Sequence, residues 1–286
     1  VRKTGSALRG AVRGTVAVLA TFASYAAVVL GSILLLPWRR AKLRWQGRVF
    51  RAWSRILCRA LGIHVRVEGA PPRPPFVLVS NHVSYLDILV LGTQLPCVFV
   101  AKAEIDDWPL FGAICRAVNT IFVDRKAKRD VPRVLADIET MLAAGQNVII
   151  FPEGTSGPGD RVLPFRPSLL DLAARMGHPV HWAAIGYDAP PDGPPTHLAL
   201  TWWGEMPLVP HIGGVLKLRR IDARIAFGAE PVVADDRKRL ADALFAAVSG
   251  AFRPMVESAE IERLLALRET DPGAVPDILR PGAGPS

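Results

Sequence analysis

The first 67 residues contain no aspartate and no glutamate. They hold 13 of the 35 lysines and arginines, which leaves 22 basic residues against all 26 acidic ones in the rest of the chain. The formal charge of +9 and the pI near 10.0 therefore belong to one end. Charge segregated in this way points to a surface contact made by that end rather than to a basic domain. No nucleic-acid-binding motif accompanies it, so nucleic acid is not an expected partner. Cysteine is also scarce. Cys58, Cys97 and Cys115 stand far apart with no C-x-x-C spacing, which argues against a disulfide framework and a zinc ribbon. Reduced thiols in apolar surroundings are the expectation. There is no G-x-S-x-G, hence no serine nucleophile elbow, and no internal repeat.

What is present begins with an apolar run. Thr15 to Leu36 carries no charge over 22 residues, enough for a helix to cross a hydrocarbon core of about 30 Å. The run exceeds a typical signal-peptide core and ends in Leu-Leu-Leu-Pro-Trp-Arg-Arg without a small-residue cleavage site, so an uncleaved anchor is expected. Positive charge flanks it on both sides. Arg2, Lys3, Arg9 and Arg13 precede it, and a denser set from Arg39 to Arg59 follows. The denser side, which leads to the large domain, is expected to be cytoplasmic. A half-inserted hairpin returning to the same side fits the same charges. Next, Leu43 to Leu61 reads as an amphipathic helix with Arg44, Arg48, Arg51, Arg55 and Arg59 on one face. An arginine stripe without acidic partners, directly after an apolar anchor, suits anionic lipid headgroups.

Beyond Ala70 to Pro75, a proline-rich linker, short apolar runs alternate with helical patterns. Strands are expected at Val65–Glu68, Phe76–Val79, Val98–Ala101, Thr120–Val123, Asn147–Phe151, Val180–Tyr187, Leu198–Trp202 and Ala223–Phe227. Helices are expected at Tyr85–Gln94, Pro109–Val118, Pro132–Ala144, Ser168–Met176 and Arg237–Phe252. The alternation implies an α/β domain with a mostly parallel sheet flanked by helices. The chain divides into residues 1–62, the anchor (apolar segment 15–36) and basic helix; 63–268, the α/β domain; and 269–286, a Pro/Gly/Ala-rich tail expected to be disordered.

Two motifs carry chemistry. In Asn81-His82-Val83-Ser84-Tyr85-Leu86-Asp87, a histidine and an aspartate stand five positions apart at the end of a buried-type strand, where open α/β sheets place their sites. Ser84 can cap the next helix and Asp87 falls in its first turn. A carboxylate bonded to one ring nitrogen fixes the tautomer and raises the basicity of the other. With no nucleophilic Ser or Cys nearby, the proton removed is a substrate hydroxyl's. The plain alternative is a capping Asp beside a structural His. The second motif, Phe151-Pro152-Glu153-Gly154-Thr155, also follows a buried strand. Gly154 lets backbone approach a ligand, and Thr155 offers a hydroxyl. Between them, Phe122-Val123-Asp124-Arg125 ends a strand in an arginine suited to phosphate, or to a salt bridge with Glu153. Arg166 is a further candidate for phosphate.

In order and spacing, these three blocks resemble the glycerolipid acyltransferase family, best known from lysophosphatidate acyltransferases. The resemblance covers roughly Val65 to Phe227. It implies that the α/β domain is a single acyltransferase domain, with His82 as general base and Asp87 as its partner. It also implies that Arg125 and Glu153, Gly154 and Thr155 hold the acceptor's polar head. The acyl donor would be a thioester of coenzyme A or acyl carrier protein, with no metal and no other cofactor. The expected reaction is membrane-bound transfer to the free hydroxyl of 1-acylglycerol-3-phosphate, giving phosphatidate. Lyso-ornithine lipid is the alternative acceptor, and a catalytically inactive lipid-binding protein the further alternative. Ser156-Gly157 stand where the family often has Arg-Ser. Phe165-Arg166-Pro167-Ser168 replaces Phe-Lys-x-Gly, and Trp182 occupies the place of a strand proline. These departures bear on the acceptor, not on the reaction. The run Trp202 to His211 is similar to segments of bacterial relatives of both acceptor classes, with aromatic packing at a membrane edge as its plain reading and a structural role for His211. A composition rich in Ala, Arg, Gly and Pro suits a GC-rich bacterium, and the bacterial inner membrane is the expected location.

Overall fold

The computed structural model describes residues 2–108, 111–124, 130–175, 177–271 and 273–280. It opens with two long helices, α1 (Arg2–Leu34) and α2 (Arg39–Leu61). Strands and helices then alternate: β1 (Ile63–Glu68), β2 (Val77–Ser80), α3 (Leu86–Gln94), β3 (Cys97–Lys102), α4 (Phe111–Ala117), β4 (Ile121–Val123), α5 (Asp130–Ala143), β5 (Asn147–Ile150), α6 (Asp171–Arg175) and β6 (Val180–Asp188). The chain finishes with α7 (Thr196–Ala199), α8 (Leu208–Lys217), β7 (Ile221–Phe227), α9 (Arg237–Ala251) and α10 (Ser258–Thr270).

The seven strands form one sheet in the order β1-β7-β6-β2-β5-β3-β4. Every pairing is parallel except β6 with β7. β2 and β5 sit at the centre, apolar but for Ser80 and Asn147 and buried at every position, as strands covered on both faces must be. Alternate side chains feed opposite cores. Leu78 and Ile149 pack with Leu57, Leu86 and Leu91 from α2 and α3. Val77, Val79, Val148 and Ile150 pack with Ile138, Leu240 and Leu244 from α5 and α9. Helices on both faces of a mostly parallel sheet is the expected architecture.

α1 is longer than its apolar run and folds back along α2. Trp45 Nε1 donates to Ala27 O at 2.9 Å, and Trp53 Nε1 donates to Thr21 Oγ1 at 3.0 Å, which makes the two helices antiparallel. The N-terminal part of α1 reaches the α/β domain. Arg9 Nε donates to Lys217 O at 3.0 Å and Arg13 donates to Leu218 O at 2.5 Å. Cations there complement the carbonyl end of α8. α1 includes an apolar stretch, Gly5–Leu34, long enough to cross a membrane. Leu8, Val12, Leu19, Phe22, Leu30, Ile33 and Leu34 form its exposed side.

Three expectations change. Leu198–Trp202 is not a strand: a turn of helix, α7, precedes an extended segment in which the Trp202 N–H bonds to Val83 O at 2.8 Å instead of to the sheet. Residues 273–280 of the tail are folded against the domain. Val275 and Leu279 are buried against Trp203, Met206, Ile261 and Leu264, so its few apolar residues find a partner surface. Residues 281–286 lie outside those described. The arginine stripe of α2 divides. Arg51 Nε and Arg55 Nε both donate to Thr93 O at 3.1 Å, capping the carbonyl end of α3. Arg44, Arg48 and Arg59 stay exposed.

Candidate active site

β2 and β5 end side by side while β6 runs on past them to Asp188, and the loops leaving the first two carry the site. Asn81, directly after β2, is fully buried and ties the turn to β6. Its side-chain amide donates to Ile185 O at 3.0 Å, and its carbonyl accepts from Ile185 N at 2.8 Å. His82 follows. Its Nδ1 lies 2.7 Å from Asp87 Oδ2, the meeting that the five-residue spacing predicted.

Asp87 is fully buried in the first turn of α3. Its Oδ2 also accepts Val83 N–H at 2.8 Å and Ser84 N–H at 3.0 Å, and its Oδ1 accepts the Tyr187 hydroxyl at 2.7 Å. One carboxylate thus pins the backbone of the turn that precedes α3 and orients the imidazole; it is not a helix cap, because the amides it accepts lie ahead of the helix. With Nδ1 engaged, Nε2 is the ring nitrogen free to take a proton, and the His82 side chain keeps 21% of its surface exposed.

The loop after β5 clamps the His82 turn. The Phe151 ring stacks on the imidazole at 4.2 Å between centroids, with 16° between planes. Glu153 Oε1 accepts His82 N–H at 3.1 Å, and Gly157 N–H donates to His82 O at 2.9 Å. Gly154 has φ of 79° and closes the turn by donating to Phe151 O at 3.1 Å. That left-handed conformation is open to glycine at low cost. Burial pushes the Glu153 carboxyl up to about 9, against the pull of the His82 and Leu163 amides, and the charge of Asp87 adds to the rise.

Thr155 is exposed on the same loop, as a ligand contact requires. Arg166 is also exposed, and its backbone N–H is pinned to Pro152 O at 2.8 Å, which sets this arginine beside the loop. Glu153 differs from both: it is buried, and its carboxyl ties one loop to the other. Arg125 lies outside the described residues. The strand leading to it, β4, is the outer strand beyond β3.

Sequence reasoning did not assign Asn81, Tyr187 or Trp202. Trp202 N–H donates to Val83 O at 2.8 Å, and Ser156 Oγ donates to Trp202 O, so the segment beside Trp202 is stitched to both motif loops. His211 is buried against the Tyr85 hydroxyl at 3.0 Å, and burial lowers it to about 4. That is a structural residue, as expected. Among the described residues no cluster of His, Cys, Asp and Glu is arranged to hold a metal ion.

The arrangement offers an oriented base facing outward, flanked by loops carrying a free hydroxyl and a guanidinium. Comparison with known proteins agrees. A family model described as Acyltransferase matches residues 63–186. The chain is 36% identical over 219 residues to the lyso-ornithine lipid O-acyltransferase of Rhizobium meliloti (strain 1021), covering 70% of this chain and 74% of that protein. It is 32% identical over 187 residues to the 1-acyl-sn-glycerol-3-phosphate acyltransferase of Neisseria meningitidis serogroup B, covering 64% and 72%. The crystal structure of the 1-acyl-sn-glycerophosphate acyltransferase PlsC from Thermotoga maritima shares the fold, with a TM-score of 0.63 over 88% of this chain and 98% of that one, at 22% identity.

Proposed function

The chain belongs to the glycerolipid acyltransferase family, and from that premise we propose that it acylates the free hydroxyl of lyso-ornithine lipid, using an acyl thioester of coenzyme A or acyl carrier protein. The observation that carries the acceptor is the ordering of the relatives. The Rhizobium meliloti lyso-ornithine lipid enzyme matches at 36% identity over 74% of its length, and the Neisseria meningitidis 1-acylglycerol-3-phosphate enzyme at 32% over 72%. This reverses the order in which the sequence motifs alone placed the two acceptors.

The geometry supports the chemistry as follows. Neutral His82 keeps its Nδ1 proton on Asp87 and offers Nε2 to the acceptor hydroxyl. As the oxygen attacks the thioester carbonyl, Nε2 takes its proton. The carbon–sulfur bond then breaks, and the thiolate leaves with that proton from the imidazolium. The oxyanion between those steps needs donors. The backbone amides of His82, Val83 and Ser84 are not among them, because they already bond Glu153 and Asp87. Arg166 and Thr155, both exposed beside the site, suit the carboxylate of the ornithine head, with Arg125 as a third contact. The α1–α2 hairpin brings the enzyme to its substrate. The exposed apolar side of α1 lies lengthwise in one leaflet, and Arg44, Arg48 and Arg59 meet headgroups. The bacterial inner membrane is the location, with the α/β domain on the cytoplasmic side.

The test is purified full-length protein in mixed micelles, supplied with a labelled acyl thioester and either lyso-ornithine lipid or 1-acylglycerol-3-phosphate. Transfer to lyso-ornithine lipid with the higher kcat/KM is expected. Preference for 1-acylglycerol-3-phosphate restores the other acceptor, and transfer to neither, with lipid binding retained, leaves a binding protein. A His82→Ala variant is expected to lose about two to four orders of magnitude in kcat, and full turnover in that variant removes His82 as base.

A further inference from the structure

The Asp87 carboxylate has two oxygens with different partners. Oδ2 faces His82 and two backbone amides. Oδ1 accepts the hydroxyl of Tyr187 at 2.7 Å. Tyr187 is the next-to-last residue of β6, just past the segment that the acyltransferase family model matches, and outside the motif blocks. Only 2% of its surface is exposed. It is also held firmly. Its backbone N–H bonds Met255 Sδ at 3.1 Å, and Met255 N–H in turn bonds Gly159 O at 2.8 Å. Two positions earlier on the strand, Ile185 anchors Asn81 through two hydrogen bonds. The end of β6 therefore grips the His82 turn at both ends.

We propose that Tyr187 is a positioning residue for acyl transfer, which acts through Asp87 to orient His82 and to set its basicity. A hydroxyl donated to a buried carboxylate takes up part of its charge. The share of charge left on Oδ2 determines how strongly Asp87 favours imidazolium over imidazole. A base works best when it is neutral at the working pH and becomes charged only as the proton moves. Tyr187 moderates Asp87 toward that balance and fixes the rotation of the carboxylate.

Other titratable groups lie near the same buried pair: Cys58 from α2 and Tyr85 at the start of α3 act on Tyr187, and Glu153, beside the His82 amide, neighbours Asp87. Burial first, then the charge of Asp87, pushes the Tyr187 hydroxyl well above its ordinary range. It therefore stays protonated and remains a donor at any working pH.

The inference rests on the proposed role of His82, which has its own test in His82→Ala. The experiment here is a titration of His82 that needs no acceptor. Full-length protein labelled at histidine is followed by NMR in micelles, with the His82 signal assigned by its loss in His82→Asn. In Tyr187→Phe, Asp87 keeps its full charge, so the His82 pKa is expected to rise by about half a unit or more. The acidic limb of kcat/KM moves up by the same amount, and kcat falls about tenfold. KM for the thioester stays unchanged. Site-specific 3-fluorotyrosine at position 187, a stronger donor of nearly the same shape, is expected to lower the His82 pKa, and it serves where Tyr187→Phe fails to fold. A His82 pKa that is unmoved in either variant overturns the proposal. So does a loss of folded protein with an unchanged pH profile for what remains folded.

Discussion

Glu153 Oε1 accepts the backbone N–H of His82 at 3.1 Å across 71 positions of sequence. That bond joins the loop after β5 to the turn after β2, so the two motifs form one framework. A buried carboxyl in that place is held to about 9 by burial.

The pH dependence of stability follows from it. Folded Glu153 keeps its proton up to about 9, and an unfolded glutamate releases it above 4.5. Folding therefore takes up a proton between those values. Stability from this group is full below 4.5 and declines as pH rises through the window, by at most about 1.4 kcal/mol per unit. Glu153→Gln keeps an acceptor oxygen for His82 N–H and has no proton to release. The difference in unfolding free energy between wild type and Glu153→Gln, followed by denaturant titration, is expected to move in favour of the variant from about pH 5 to about pH 8. A difference constant over that range contradicts a protonated Glu153.

Asp87→Asn tests the orienting carboxylate. The amide fits the volume, but its NH2 opposes N–H donors that now point at Oδ2. It also favours the wrong imidazole tautomer. A loss of about 10³ to 10⁴ in kcat is expected, with KM for the thioester little changed. Steady-state kinetics on protein with wild-type circular dichroism is the check, and a variant within tenfold of wild type separates Asp87 from the chemistry.

The two motif blocks were legible because each is local. A strand, a histidine at its end and an acid five positions on have one geometry that brings them together, and the 2.7 Å contact follows from it. The central strands were legible from apolar runs such as Val148 to Phe151. What escaped notice depends on long-range partners. Tyr187 lies 100 positions from Asp87, and no local pattern marks one strand tyrosine as facing a carboxylate. α8 includes Pro210 and a Gly213-Gly214 pair, which hide its period although its first turn accommodates the proline. Val275 and Leu279 looked like parts of a solvated tail because the surface they cover, built from α10 and Trp203, is assembled only in three dimensions.

The hairpin predicts a division among its basic residues. Arg44 and Arg48 are exposed on α2, and each is expected to contribute about 1 kcal/mol to binding an anionic surface. Arg44→Gln with Arg48→Gln should weaken partitioning onto vesicles containing anionic lipid by about thirtyfold at low salt. It should leave binding to neutral vesicles unchanged. Leu19→Glu, on the exposed side of α1, is expected to weaken both. Co-sedimentation over a salt series reads the two effects. Equal losses on neutral and anionic vesicles for the arginine variant rule out a headgroup role.

Arg51 and Arg55 make the opposite prediction. Both donate to Thr93 O at 3.1 Å, at the carbonyl end of the helix whose first turn holds Asp87. Burial lowers Arg51 from its ordinary value, with Arg55 adding to the effect, which marks a guanidinium drawn out of solvent. Removing both arginines leaves the Thr93 carbonyl without these donors. Arg51→Ala with Arg55→Ala is expected to cost about 1 to 3 kcal/mol of stability. Vesicle binding per folded molecule should persist through Arg44 and Arg48. Loosening α3 also loosens Asp87, so kcat should fall well below wild type at temperatures where the protein is still folded. Thermal unfolding and kinetics measured on the same sample decide the matter. A pair of substitutions that weakens vesicle binding without lowering Tm would return these arginines to the membrane face.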